Sequence, residues 1–323
     1  RSRFFGSVDS VDPFNPSPGL FADPGQSFLN PTKITTVAVY VEDSLEVTSD
    51  LRLVAALRQD FIRLNRDSFN LDGSVNGANA FERTFRPLSW RLGIVYDLTP
   101  SIVTYGQWTS GADPVGSNIF LVNGNQDFDL TNADQWEVGI KSQFLDGRLN
   151  VLLAGYYIER ENILVAIGGG GLVDNVGRQR SSGFEFEGLL RATSQWNLGA
   201  NAAFTAAEFT SFGVNSGHRP PNVPKWVANA WTRYRNIAGL PFEVGGRFRY
   251  VSDRFNNNAN TVTLKGYELV DLHVAYTKGP VRIHARVTNL FDTAYAYWGD
   301  TFYPDQVLLG SPRAYEVNAQ IDF

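Results

Sequence analysis

Apolar and polar positions alternate with a period of two along most of this 323-residue chain. In a strand, successive side chains point to opposite faces, so each such run predicts a β-strand with one apolar and one polar face. In Val281 to Thr288 every odd position is apolar and every even one polar or charged, and Tyr315 to Phe323 repeats the rule to the last residue. Phe242 to Tyr250, Trp196 to Phe204, Trp136 to Ile140 and Trp90 to Tyr96 follow it as well. About thirteen such segments can be counted, each near the ~9–11 residues of a tilted membrane strand.

The connections between these segments fall into two classes that take turns. Short links are expected at Thr48 to Asp50, Leu98 to Pro100, Asp146-Gly147, Thr193 to Gln195, Asn236 to Leu240 and Lys278-Gly279. Long links, rich in Gly, Asn, Asp, Ser and Pro, run about 6–33, 66–83, 110–132, 161–178, 207–224, 253–263 and 292–310. Tight turns at one end of a meander and large loops at the other describe an outer-membrane barrel. A large soluble β fold shares the two-faced strands but gives no reason to sort loops by length.

Two hairpins predict a register. A turn at Asp146-Gly147 sets Phe144 opposite Leu149, Ile140 opposite Leu153 and Trp136 opposite Tyr157. A turn at Lys278-Gly279 sets Leu272 opposite Ala285, Val274 opposite Ile283, Asp271 opposite Arg286 and His273 opposite His284. Both keep the apolar and polar faces apart.

Composition narrows the field. No stretch approaches the ~18 apolar residues of a spanning helix, so a membrane reading requires strands. Hydrophobic residues at 43% and charged ones at 19% exclude a disordered chain, and 28 Lys and Arg against 33 Asp and Glu argue against nucleic acid as a partner. Zero Cys removes thiol chemistry, and zero Met with a start at Arg1-Ser2-Arg3 is expected of a processed chain or a fragment, any export signal lying upstream.

Several residues then look familiar. Val39-Tyr40-Val41-Glu42-Asp43, Glu137 to Lys141 before Asp146-Gly147, Arg180 to Gly188, Asn222-Val223-Pro224-Lys225, Asn289-Leu290-Phe291-Asp292 with Tyr295, and Gly310-Ser311-Pro312-Arg313 occur in that order. Over about Thr36 to Phe323 the chain resembles the C-terminal part of the barrel of TonB-dependent outer-membrane receptors, most closely the ferric-siderophore group. Its final aromatic, Phe323, is similar to the strand signal read by the barrel-assembly machinery.

The resemblance implies an all-β, transmembrane, antiparallel up-and-down barrel with short periplasmic turns and long extracellular loops, of which residues 1–323 supply about 13–14 of an expected ~22 strands. The family's plug domain, TonB box and early strands are expected to lie outside this chain, which alone is not expected to transport. The implied function is uptake of a ferric siderophore across the bacterial outer membrane, with the TonB-ExbB-ExbD system acting through the N-terminal region and with lipid and lipopolysaccharide around the wall. A non-iron cargo such as cobalamin or a glycan, and a passive porin or adhesin barrel, are the alternatives. No catalytic residue, cofactor or resident metal is implied.

The candidate ligand contacts are Tyr295, Tyr297, Trp298, Phe302 and Tyr303 in the last long loop, with Trp108 at the outer end of its strand. By resemblance such aromatics hold bulky chelates by stacking; packing within loops or an interfacial girdle would use the same residues. Lumen arginines Arg58, Arg91, Arg247, Arg249, Arg282 and Arg286 are read as ion-paired rungs that stiffen the wall. His273 and His284 are too few for a metal and are read as a hydrogen-bond network. Gly168 to Gly171 precedes no helix, and no nucleophile elbow of the form G-x-S-x-G occurs.

Overall fold

A computed structural model describes residues 30–70, 73–113, 128–166, 173–299 and 306–322. The described strands are β1 (Thr32–Glu46), β2 (Leu51–Arg66), β3 (Phe81–Phe85), β4 (Leu88–Thr99), β5 (Ile102–Ala112) and β6 (Asn132–Phe144). The long pair β7 (Leu149–Ala166) and β8 (Val173–Arg191) follows, then β9 (Trp196–Ser211), β10 (Trp226–Arg235) and β11 (Phe242–Val251). The chain continues through β12 (Arg254–Phe255), β13 (Thr263–Leu264), β14 (Tyr267–Lys278), β15 (Val281–Thr288), β16 (Ala296–Gly299), β17 (Val307–Leu309) and β18 (Ala314–Ile321). Fourteen of them form one antiparallel meander in the order β1-β2-β4-β5-β6-β7-β8-β9-β10-β11-β14-β15-β18, with β3 beside β2. β12–β13 and β16–β17 are separate two-stranded ribbons in the loops.

β3 and β4 are one strand interrupted. Ile62 pairs with Phe85 and Gln59 with Leu88, so the register is the same on both sides of Arg86-Pro87. Pro87 has no N–H for the ladder, and its carbonyl instead accepts from Asp60 N at 3.1 Å and Gln59 Nε2 at 3.0 Å.

All six short links are found, and the first register holds: Phe144 pairs with Leu149 and Trp136 with Tyr157. The second is corrected. Lys278 pairs with Val281, so the turn is Gly279-Pro280 and each partner moves by two. Leu272 faces Val287, Val274 faces Ala285, and His273 faces Arg286 rather than His284. A two-residue hairpin turn with glycine at its first central position needs positive φ there, and Gly279 has φ 56; Pro280 supplies a fixed negative φ and needs no N–H at the second. Because the shift is two residues, no side chain changes face.

The link expected over 161–178 is mostly strand. β7 runs to Ala166 and β8 begins at Val173, giving strands of 18 and 19 residues. A tilted strand needs about 9–11 residues to cross a bilayer, so this hairpin continues well past the membrane surface.

The apolar face is open to its surroundings. Val37, Val39, Val138, Leu92 and Leu272 are among the large hydrophobics left exposed there, Val138 at 65%. Two aromatic rows bound this face. Towards the loop end Trp108 stacks on Trp136 at 4.6 Å and meets Trp90 edge-on at 4.2 Å, and Phe184, Phe204 and Trp226 cluster beside them. Towards the turn end stand Phe144, Trp196, Tyr234, and Phe242 against Tyr276 at 5.0 Å. Trp136 to Phe144, Phe204 to Trp196 and Trp226 to Tyr234 each span eight positions, about 27 Å along a strand. Strand tilt of about 40° leaves about 20 Å of depth, on the scale of the ~25 Å apolar band of an outer-membrane barrel.

The buried apolar cluster among the described residues lies on the opposite, polar face. Ile62, Leu64, Phe85, Phe128 and Leu130 pack inside the loop end, with Phe81, Ala112 and Leu164 against them. Phe128 meets Phe85 at 5.5 Å, and Arg83 lies 5.0 Å over its ring. Loop residues thus turn inward over the lumen, and the outside is left for lipid.

Candidate functional site

The loop end is a rigid platform made from three connections. Between β9 and β10, Asn222 donates through Nδ2 to Gly299 O at 2.8 Å and accepts from Gly299 N at 3.0 Å, clamping the last loop. Arg219 N donates to Asn260 Oδ1 at 2.9 Å, and Asn260 Nδ2 donates back to Arg219 O at 2.8 Å. Both asparagines have positive φ, a backbone region that asparagine tolerates better than most residues.

Arg254 is the central pin of this platform. Only 4% exposed, it donates through Nη2 to Ala296 O at 2.6 Å and Tyr297 O at 3.0 Å, and its guanidinium lies 5.7 Å from the Tyr267 ring. Burial lowers its pKa. Nothing in the periodicity of the sequence marks Arg254, since it falls in an irregular, polar stretch.

The Asn289-Leu290-Phe291-Asp292 motif closes the base of the last loop. Asn289, 4% exposed and at φ 50, donates through Nδ2 to Thr293 O and Ser311 O, accepts from Thr293 N at 2.8 Å, and gives its own N–H to Asp271 Oδ1. Asp292 accepts from Arg313 N at 2.8 Å. Each of these motif residues holds backbone.

The candidate contacts divide accordingly. Tyr295 turns inward: its ring packs at a tilt against Tyr267, centroids 4.4 Å apart, covers Gly310, and burial pushes its phenol pKa up. Tyr297 and Trp298, on β16, have pinned or paired backbones and open side chains, 55% and 44% exposed. Phe302 and Tyr303 lie outside the described residues. Trp108 stands in the outward aromatic row on Trp136 and is not brought to this platform.

Below the platform, the lumen wall repeats one device. Tyr105, Tyr156, Trp231 and His273 each sit directly across from a glycine, at Gly139, Gly183, Gly199 and Gly245, and each ring lies over that glycine's empty Cβ position. Tyr105 then donates to Glu137 at 2.8 Å, and Tyr156 hydrogen-bonds Thr205 at 2.8 Å. At Gly183 a Cβ would fall 2.0 Å from Phe204 O, which is backbone and cannot swing away. Gly183→Ala is expected to destabilise the barrel by about 1–3 kcal/mol, read as a lower temperature for loss of the compact, fast-migrating band in gel electrophoresis; an unchanged temperature would contradict the close packing.

The expected ion-paired rungs are half correct. Arg58 pairs with Asp60, Arg91 with Glu42 and Arg286 with Glu316. Arg247, Arg249 and Arg282 make no ion pair with the described residues. Asp271 does not partner Arg286, because the shifted register places His273 opposite Arg286; on its other side Asp271 faces Arg247 of β11.

An apolar outside between aromatic rows, a polar lumen and no spanning helix among the described residues define a transmembrane β-barrel wall. The family described as "TonB dependent receptor-like, beta-barrel" matches residues 1–290, and the chain belongs to it. The chain is 27% identical over 282 residues to "Probable TonB-dependent siderophore receptor PiuA" of Acinetobacter baumannii, covering 81% of this chain and 37% of that protein. It is 26% identical over 305 residues to "Metal-pseudopaline receptor CntO" of Pseudomonas aeruginosa, covering 93% of this chain and 42% of that one. The ferric-catecholate import receptor Fiu of Escherichia coli K12 superposes with a TM-score of 0.81 at 22% identity, over 99% of this chain and 50% of that one, a likeness of fold. The chain therefore spans less than half the length of these two curated relatives. The family is one of outer-membrane receptors, not enzymes, which places the short turns in the periplasm and the loop platform at the cell surface.

Proposed function

We propose that this barrel is the outer wall of a receptor that takes up a ferric siderophore, energised through the TonB-ExbB-ExbD system by an N-terminal region and inserted by the barrel-assembly machinery. The observation that carries the reading is the matched family together with relatives named as siderophore and metallophore receptors. Tyr297 and Trp298, open on a pinned hairpin with Phe302 and Tyr303 following in sequence, are the cell-surface contacts of the cargo. Flat aromatic faces on a pre-ordered backbone stack on a bulky chelate without a large ordering cost. The near-equal identity to the metal-pseudopaline receptor favours one second reading, a chelate of a metal other than iron.

The test is uptake of radiolabelled metal by a deletion strain carrying the gene. Trp298→Ala with Tyr297→Ala is expected to lower uptake of the cognate ferric chelate about tenfold, as loss of two aromatic contacts implies, at unchanged barrel abundance. Iron uptake independent of the gene, with zinc or nickel uptake dependent on it, would replace iron by the second reading. Dependence on neither removes both.

A further inference from the structure

On the lumen side, rings lie over the open Cβ positions of Gly139, Gly183, Gly199 and Gly245. Gly106 of β5 is different. It lies on the apolar face, opposite Ile94 of β4 on one side and Val138 of β6 on the other. A Cβ there would meet Ile94 Cγ2 at 3.7 Å and Val138 Cγ1 at 3.8 Å, which are ordinary contacts, and its φ lies outside the left-handed region. The protein's own packing therefore does not require glycine at this position, although glycine inside a strand costs stability. What the glycine leaves is the floor of an apolar groove of about 430 Å³. Ile94 and Val138 are its sides, and Leu92, Trp108 and Trp136, one pair further out on the same three strands, are its rim. The Trp108–Trp136 stack, with Trp90 edge-on to Trp108, makes that rim stiff. Trp108, which takes no part in the platform, has its place here.

We propose that this groove is a specific seat for one acyl chain of an outer-leaflet lipopolysaccharide. The rim belongs to the loop-end aromatic row, and Gly106 lies two residues inward of it, about 7 Å along the strand. The groove thus opens into the outer half of the hydrocarbon and continues the lipid-facing surface. Within a bilayer no hydrophobic drive favours one contact over another, so selection comes from packing. A tail lying on the glycine touches floor, sides and rim at once, where a flat stretch of wall offers one surface. Charge at the head-group level completes the choice. One pair outward of the rim, Ser110, Asp134 and Glu159 follow on the same face, and the two carboxylates stand directly opposite each other. Asp134 makes no ion pair with the described residues, and Arg180, across from Glu159, is bonded to Glu208 at 2.6 Å. Opposed like charges repel. A lipid whose phosphates arrive with divalent cations offsets them, since such a cation takes carboxylate and phosphate oxygens together. The proposal rests on the apolar face being in lipid and on nothing about the cargo.

The test is native mass spectrometry of the full receptor, purified from outer membranes in mild detergent with magnesium and titrated with deep-rough lipopolysaccharide. A saturable, tightly retained molecule is expected. Gly106→Leu fills the floor and is expected to weaken that retention about tenfold, through loss of roughly a dozen carbon contacts. Ala202→Leu is the control. It adds the same bulk to the apolar face at the same depth, two residues inward of Phe204 on β9 and between Phe186 and Ala228, and is expected to change nothing. Gly106→Ala, a smaller intrusion, guards against a folding defect in Gly106→Leu and is expected to lose part of the retention with an unchanged folded band on gels. Unsaturable binding, or equal losses in Gly106→Leu and Ala202→Leu, overturns the proposal and leaves only an unselective lipid annulus. Phosphatidylethanolamine or phosphatidylglycerol retained as tightly as lipopolysaccharide overturns the choice of occupant and with it the proposal. The lipid-facing reading itself is tested separately, by whether Leu272→Arg keeps the barrel out of the membrane, and none of these measurements involves metal uptake.

Discussion

Leu272→Arg is expected to keep the barrel out of the outer membrane, whereas His273→Gln, one residue along β14, leaves it inserted. Leu272 is 44% exposed on the apolar face, between Gly246 of β11 and Val287 of β15, about midway between the two aromatic rows. At that depth a charge facing hydrocarbon costs about 2–4 kcal/mol, a large share of the net stability of an ordinary domain. His273 points to the lumen, lies over Gly245 and meets Glu243, so its replacement trades one hydrogen bond for another in a wet wall. Outer-membrane fractionation and the folded band on gels report the difference. Equal behaviour of the two variants would mean that the apolar face is covered by protein rather than lipid, and the barrel reading would fail with it.

Asn289→Ala is expected to release the last extracellular loop without unfolding the wall. The side chain meets three backbone groups: the two carbonyls of Thr293 and Ser311, and the N–H of Thr293. Leaving buried backbone groups unpaired costs about 1–3 kcal/mol each, and alanine at φ 50 adds roughly 1 kcal/mol of backbone strain. The total, about 3 kcal/mol or more, exceeds what a short ribbon such as β16–β17 recovers from its own pairing. Proteolysis of intact cells is the measurement: cleavage between Leu290 and Arg313 is expected to accelerate at least tenfold, with the folded barrel band retained. An unchanged cleavage rate would show that Arg254 and Asn222 hold the loop unaided.

The strands were legible because a two-faced sheet writes its environment into every second residue. β14, β15 and β18 read directly as strands, and their lumen and lipid faces are as the alternation required. The turn between β14 and β15 was not legible in the same way. Lys278-Gly279 and Gly279-Pro280 both preserve the faces, and only the positive φ of Gly279 followed by proline separates them. That two-residue ambiguity reached the chemistry, since it set Arg286 opposite His273 instead of Asp271, and Arg286 pairs with Glu316 of β18 on its other side. The aromatic candidates show the same limit. Tyr295, Tyr297 and Trp298 are near-neighbours in sequence, yet one is half-buried against Tyr267 and two are open, because Arg254 and Asn222 arrive from distant loops to orient that ribbon.

Sequence alone therefore determined that this is a membrane meander, which end carries the loops, and which side chains share a face, because period-two patterning and turn chemistry are local and repeated. Tertiary structure decided which inward charges meet and which stay alone, how far β7 and β8 rise, and how three loops lock into one platform. Those outcomes depend on register across strands and on contacts between residues as many as 77 positions apart, as for Asn222 and Gly299, where no local pattern carries the information.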